Sequence, residues 1–223
     1  FPSSFFPDLD YGPSFFDHTH IANLTWYYEL PFGPGRRFSA GNWVDKLIGG
    51  WFTGGILTAF SGAPLTVVQS TQAFGGGTTF SFGTGAIPIK KPKFGNEVHR
   101  GVTGSGNVGV AGDPARGGTG LNLFADPEAV LKNFRPVLLS RDGRSGRGVL
   151  RGLPHWNVDF SAGKAIAVTE MVRVRFSFDF FNILNRVEFA DPTLDLRNPA
   201  SFGVLSSQFN QPRRIQFGFR VEF

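Results

Sequence analysis

The run Arg213-Arg214-Ile215-Gln216-Phe217-Gly218-Phe219-Arg220-Val221-Glu222-Phe223 alternates polar and apolar residues almost throughout. Ile215, Phe217, Phe219, Val221 and Phe223 share one face; Arg214, Gln216, Gly218, Arg220 and Glu222 share the other. Side chains of a strand point alternately to opposite faces, so this is a strand with a greasy side and a charged side. In a soluble sheet the greasy side meets a core. In an outer-membrane barrel it meets lipid, and the charged side lines the lumen. The length suits the roughly 9–11 residues that a tilted strand needs to cross a bilayer. A final strand with an aromatic carboxy terminus points the same way, to a membrane barrel.

Other segments repeat the pattern. In 20–30, Ala22, Leu24, Trp26, Tyr28 and Leu30 oppose Asn23, Thr25, Tyr27 and Glu29. In 156–163, Trp156, Val158 and Phe160 oppose Asn157, Asp159 and Ser161. In 171–181, Val172, Val174, Phe176, Phe178 and Phe180 oppose Arg173, Arg175, Ser177 and Asp179. A midplane Lys or Arg in hydrocarbon costs roughly 2–4 kcal/mol, so the register of such strands is strongly set. Leu47 to Val68 carries no charge and has about the length of a membrane-spanning helix. Its glycines and Pro64 favour two strands instead, Trp51–Phe60 and Leu65–Gln69, joined by the turn Ser61-Gly62-Ala63-Pro64. The faces of Trp51–Phe60 are not assigned by its pattern.

These readings give an all-β fold: an antiparallel up-and-down meander of about six long strands, part of a larger barrel. The connections alternate as long (31–50), short (61–64), very long (70–155), short (164–170) and long (182–212). Outer-membrane barrels have short periplasmic turns and longer external loops. With Phe223 at the periplasmic side, both short links fall there and all three long ones fall outside. The 70–155 connection is rich in glycine. A hairpin around Thr78–Ile89 and a short helix over Asp126–Phe134 are expected within it, with Asp126 as N-cap and Pro127 at the first helical position.

Composition narrows the function. The chain has 223 residues, 26 Phe, 30 Gly, no Cys and a net charge of +5. Its hydropathy balances near neutral, which excludes a bundle of membrane helices but suits a barrel, whose strands are half polar. The absence of cysteine excludes a disulfide framework and thiolate metal sites. The arginines are scattered through strands and glycine loops rather than clustered, so nucleic-acid binding is not expected.

Several local motifs carry weaker signals. Gly104-Ser105-Gly106-Asn107-Val108-Gly109 matches GxGxxG but lacks the flanking strand and helix of a dinucleotide site, and reads as a surface loop. His18 and His20 share a strand face without a third ligand, so no metal is assigned. Asn23-Leu24-Thr25 fits a glycosylation sequon inside a strand and reads as chance. Arg135, Arg141, Arg144, Arg147 and Arg151, interleaved with glycine, would suit an anionic ligand or lipopolysaccharide phosphate, but a solvated loop is preferred. Asp159 and Asp179 are expected to pair with lumen arginines on adjacent strands. No nucleophile elbow, HExxH or paired-carboxylate pattern stands out, so neither catalysis nor a cofactor is expected.

Larger stretches carry a resemblance. They are Phe16-Asp17-His18-Thr19-His20; Tyr28-Glu29-Leu30-Pro31-Phe32-Gly33-Pro34-Gly35-Arg36-Arg37-Phe38; Gly49-Gly50-Trp51; Ser61-Gly62-Ala63-Pro64-Leu65-Thr66-Val67; and Asn122-Leu123-Phe124-Ala125-Asp126-Pro127. Phe180-Phe181-Asn182-Ile183-Leu184-Asn185 and Pro212-Arg213-Arg214-Ile215-Gln216-Phe217-Gly218-Phe219 complete the set. In this order they resemble the carboxy-terminal end of a TonB-dependent outer-membrane receptor, of the large type with a carboxypeptidase-regulatory-like amino-terminal domain. The resemblance implies a 22-stranded barrel closed by a plug, and energised uptake of a scarce nutrient. No basic stretch followed by an apolar run opens the chain, so residues 1–223 are expected to be one barrel segment without signal peptide or plug.

On this reading Arg173, Arg175, Asp179, Arg214, Arg220 and Glu222 face the lumen. Trp26, Trp156, Phe176, Phe178, Phe217 and Phe219 face lipid, and Phe223 resembles the signal read by the barrel-insertion machinery. The expected partners are outer-membrane lipid, that machinery, a bulky nutrient, and TonB only through the missing amino-terminal part. The expected location is the bacterial outer membrane. A different class is also open: a self-assembling structural protein outside the cell, pairing through unsatisfied sheet edges.

Overall fold

Five strands form one antiparallel sheet in which neighbours in the chain are neighbours in space: β1 (Ile21–Glu29), β2 (Trp51–Phe60), β3 (His155–Ala167), β4 (Arg173–Phe181) and β5 (Arg214–Glu222). The computed structural model describes residues 8, 11–41, 43–70, 84–90, 97–138 and 141–223, with Ser70 and Thr84 by backbone alone. The alternating segments 20–30, 171–181 and 213–223 match β1, β4 and β5 to within two residues. β3 runs on to Ala167, beyond the expected 156–163, and Trp51–Phe60 is a strand rather than part of a helix. Among the described residues no helix is long and apolar enough to cross a membrane, which says nothing about strands.

The chain divides into two compact units. The sheet unit comprises Ile21–Ala59, Trp156–Val187 and Asn210–Phe223. Its β3–β4 ladder pairs Phe160 with Phe180 and Ala167 with Arg173; its β4–β5 ladder pairs Phe181 with Arg214 and Arg173 with Glu222. The amide of Leu30 donates to the carbonyl of Trp51 (2.9 Å), and that of Ala165 to Gly50 (2.8 Å). Helix α1 (Val44–Ile48) lies within the 30–50 connection.

The second unit comprises Phe1–His20, Phe60–His155 and Glu188–Phe209. Its apolar cluster includes Val67, Leu123, Phe124, Leu150, Leu194, Phe202 and Leu205, all buried. Short ladders tie distant parts together: Pro64–Leu65 with Leu150–Arg151, Val68–Ser70 with Thr84–Gly85, Ile87–Pro88 with Phe134–Arg135, and His99–Arg100 with Leu121–Asn122. Helix α2 (Pro127–Lys132) is capped as its sequence predicts, with Asp126 accepting from the Ala129 amide (2.9 Å) and Pro127 in the first turn. Much of the expected Thr78–Ile89 hairpin lies outside the described residues. Its described part pairs with Val68–Ser70 and Phe134–Arg135 rather than with itself.

One expected strand is not in the sheet. Leu65–Gln69 is split between two small ladders, and Val67 is fully buried in the apolar cluster instead of alternating. The run is too short to span a bilayer, Pro64 lacks an N–H, and Gly62 lies so close to Gly152 that a Cβ there would meet its carbonyl oxygen at 1.9 Å. The sheet thus has five strands rather than six, and its parity changes. The 30–50 connection shares an end with the short 168–172 hairpin. The 61–154 and 182–213 connections leave from the other end. The expectation that all three long links share one side is corrected for 31–50.

Candidate functional site

The register separates the two faces of the sheet. Arg173 stands opposite Glu222, Arg175 opposite Arg220, Asp179 opposite Gln216, and Phe181 opposite Arg214. All six residues expected to line a lumen therefore share one face, with Ser161, Gly163 and Ala165 of β3 beside them. The other face carries Phe176 against Phe219 (ring centroids 5.2 Å apart) and Phe178 edge-on to Phe217 (5.4 Å). Trp156 joins that face by its parity with Phe160, which pairs with Phe180.

Glycines settle the faces of β2. A Cβ on Gly163, pointing to the charged face, would meet the Phe52 ring at 2.2 Å, so Phe52 lies on that face. Gly55 is then on the aromatic face, where a Cβ would meet the indole of Trp26 at 2.2 Å. Trp26 fills the space that Gly55 leaves, on the same side as the phenylalanine rows.

Like charges directly across strands are destabilising, and Arg175 faces Arg220. The two diverge: Arg220 pairs with Glu222 (3.4 Å), while the Arg175 guanidinium sits 5.3 Å above the Phe52 ring. The aspartates depart from expectation. Asp179 accepts from the hydroxyls of Ser161 (2.5 Å) and Ser177 (3.2 Å), and Asp159 from the Asn157 side chain (2.7 Å) and the Asn182 amide (2.9 Å). Short hydroxyls and amides sit within reach on the same rows, so these carboxylates are satisfied without arginine.

At the 30–50 end, the charged face holds an open cavity of about 460 Å³, lined among others by Tyr27, Glu29, Arg36, Phe52, Arg173 and Arg175. Tyr27 stacks on Phe52 (5.6 Å), and Arg36 forms an ion pair with Glu29. The 30–50 connection that carries Arg36 is ordered by Asp45, which accepts from the Ser39 hydroxyl (2.5 Å) and the amides of Ala40 (2.6 Å) and Gly41 (3.0 Å). The Ser39 hydroxyl and then the amides lower its pKa. Three guanidiniums against one carboxylate, beside aromatic faces, give a surface that attracts anionic and planar groups. The sequence pattern did not single out Phe52 or Tyr27, because the aromatic content of the charged face breaks simple alternation. Lys164 was also missed. It lies in the aromatic register opposite Phe176, yet carries its ammonium to the carbonyls of Lys46 (2.8 Å) and Leu47 (2.5 Å) near the end of α1.

The remaining motifs serve structure. His18 Nδ1 bonds to the carbonyl of Ser61 (2.5 Å), and no group of three metal-ligating side chains forms among the described residues. Gly104, Gly106, Asn107 and Gly109 all have positive φ in a tight turn. It is flanked by a two-residue antiparallel strand at His99–Arg100 and a single 3-10 turn at Val110–Gly112, rather than by the parallel strand and α-helix of a nucleotide site. Of the basic run, Arg151 pairs with Asp17 (2.7 Å), the Arg144 guanidinium lies 4.4 Å from the Tyr11 ring, and Arg135 grips Asp142 through both nitrogens (2.6 and 2.7 Å). In the same unit, buried His155 and Glu188 pair at 3.1 Å with the Phe209 ring stacked on the imidazole (4.0 Å). Nothing in the sequence pattern links those three.

The Arg135 guanidinium, then the Leu138 amide, hold the Asp142 carboxyl well below the usual carboxylate range. A carboxyl lowered in the folded state stabilises it above its unfolded pKa of about 4, and that stabilisation fades as pH falls below. Between pH 7 and pH 3, wild-type protein should therefore lose more thermal stability than Asp142→Asn does. Parallel melting curves in the two proteins would contradict this pairing.

Comparison with known proteins adds one match. A family described as outer membrane beta barrel domain matches residues 1–216. No curated protein and no solved structure matches the chain.

Proposed function

Because the chain belongs to the outer membrane beta barrel domain family, we propose that it forms barrel wall in a TonB-dependent receptor that takes up a bulky nutrient. The observation that supports this most is the two-faced sheet: aromatic rows in register on one side, and arginines, carboxylates and hydroxyls on the other. Such a sheet suits lipid outside and a watery lumen inside. The short 168–172 hairpin belongs at the periplasm, and the 61–154 and 182–213 connections belong outside. Further strands of the barrel would satisfy the edges of β1 and β5, and TonB would engage a part of the receptor other than this wall. Arg173, Arg175 and the cavity at their end would line the route of an anionic or aromatic solute. Phe223, following β5, would be read during insertion.

Residues 1–223 hold no cysteine, so single cysteines introduced here are labelled in a background from which any cysteine elsewhere in the full-length protein has been removed. In intact cells expressing the full-length protein, Arg116→Cys should react with an impermeant maleimide, and Thr169→Cys only after permeabilisation. A Phe223→Ser background should lower the surface-labelled fraction. The reverse pattern of access would overturn the topology. Uptake itself is tested by growth on dilute bulky nutrients after gene deletion; unchanged growth on all of them would count against transport.

A further inference from the structure

The turn after β4 is built with unusual care. Asn182 and Asn185 take φ of +51° and +49°, in the left-handed region that asparagine tolerates. The buried Asn182 side chain accepts from the Arg186 amide (2.9 Å) and donates to the carbonyls of Arg186 (2.9 Å) and Gln211 (3.0 Å). Asn185 accepts from the Arg213 amide (3.1 Å), Asn210 donates to the Arg186 carbonyl (2.7 Å), and the Ile183 amide donates to Val158 (3.0 Å). These asparagines turn their hydrogen bonds inward and fix the corner.

What the corner presents outward is of another kind. Leu184 and Val187 are 61% and 54% exposed. The Arg186 guanidinium lies 4.5 Å from the Trp156 ring, and both Arg186 and Arg213 reach backbone carbonyls, of Trp156 and Ile183, at 3.4 Å. Trp156 stands at the end of the aromatic face with Arg186 over its ring, and the same corner carries Arg213 at the Ile183 carbonyl and the exposed Leu184 and Val187. In a membrane protein tryptophan favours the headgroup level, and arginine there binds phosphate in a forked geometry.

We infer that this corner binds the phosphate of a lipid headgroup in the outer leaflet, with Arg186 and Arg213 on the phosphate and Leu184 and Val187 at the acyl boundary. The inference rests on the barrel orientation proposed above. Continuity with the aromatic face favours a lipid over a free anion, because a free anion has no use for the exposed aliphatic pair.

The test uses full-length protein in dodecyl maltoside, which carries no phosphate, titrated with phosphorylated lipid A, with the same lipid enzymatically dephosphorylated, and with inorganic phosphate. Wild-type protein should bind the phosphorylated form at least about tenfold more tightly than the dephosphorylated form, as a lost charge-assisted contact implies. Inorganic phosphate should not compete at the same concentration. Arg186→Gln with Arg213→Gln should remove the preference, and Arg186→Lys with Arg213→Lys should keep most of it. Equal binding of both lipid forms by wild-type protein overturns the site without any question of misfolding, and effective competition by inorganic phosphate overturns the lipid as occupant. Orientation is read separately from labelling at Arg116→Cys, so a wrong topology and a wrong site give different results.

Discussion

Phe178→Arg is expected to lower folding stability in a membrane mimetic by about 2–4 kcal/mol, the cost of a cationic side chain near the hydrocarbon midplane of a barrel. Phe178 lies in the interior of β4, edge-on to Phe217 and opposite Ala162, with the Phe176–Phe219 pair two residues along. The substitution removes that aromatic contact and sets a guanidinium among rings. The control is one residue away. Ser177→Arg points to the other face, where Gly218 stands opposite and Asp179 lies within hydrogen-bond reach of residue 177, so it should cost far less. Urea unfolding of both variants in liposomes measures the difference. Equal losses would mean that the aromatic face does not meet lipid.

The strands were legible because one face of each is polar. Arg173 to Phe181 and Arg214 to Glu222 alternate over enough residues that a one-residue slip would reverse every side chain, and the observed register agrees. β2 resisted because Gly54 and Gly55 erase the pattern where it matters. Its faces follow from the room that glycines leave, Phe52 over Gly163 of β3 and Trp26 over Gly55. Leu65–Gln69 misled for the opposite reason. Its β-branched residues look like a strand, but Val67 is buried by segments far away in sequence, its carbonyl accepting from Ala86 (2.6 Å). The lumen candidates shared a face as read, whereas the aspartates' partners and the Tyr27–Phe52–Arg175 cluster depended on cross-strand placement that no local pattern encodes. The second unit was legible least. Its core forms from short apolar runs such as Leu123-Phe124 and Val204-Leu205, scattered along irregular connections, and periodicity has nothing to detect in such a pattern.

That unit makes the last prediction the more demanding one. Phe124 is fully buried, stacks on Phe202 with ring centroids 5.6 Å apart, and is crowded by Gly203, where a Cβ would meet its ring at 2.7 Å. Its amide donates to the Asn122 side chain (2.9 Å), and the Leu123 amide donates to Gly203 (2.8 Å), so backbone and ring are both held. A site fixed in this way relaxes little when emptied, which places Phe124→Ala in the range of about 3–5 kcal/mol for deleting a buried phenylalanine. The loss should show in hydrogen exchange as faster opening at the amides of Leu123 and Leu205, whose acceptors are Gly203 and Leu121. Amides of the β4–β5 ladder supply the reference for global unfolding. Unchanged protection at Leu123 and Leu205 would mean that the connections do not form a packed body around Phe124. A large loss would show that they carry a core of their own, made from the stretches that looked most like plain loop.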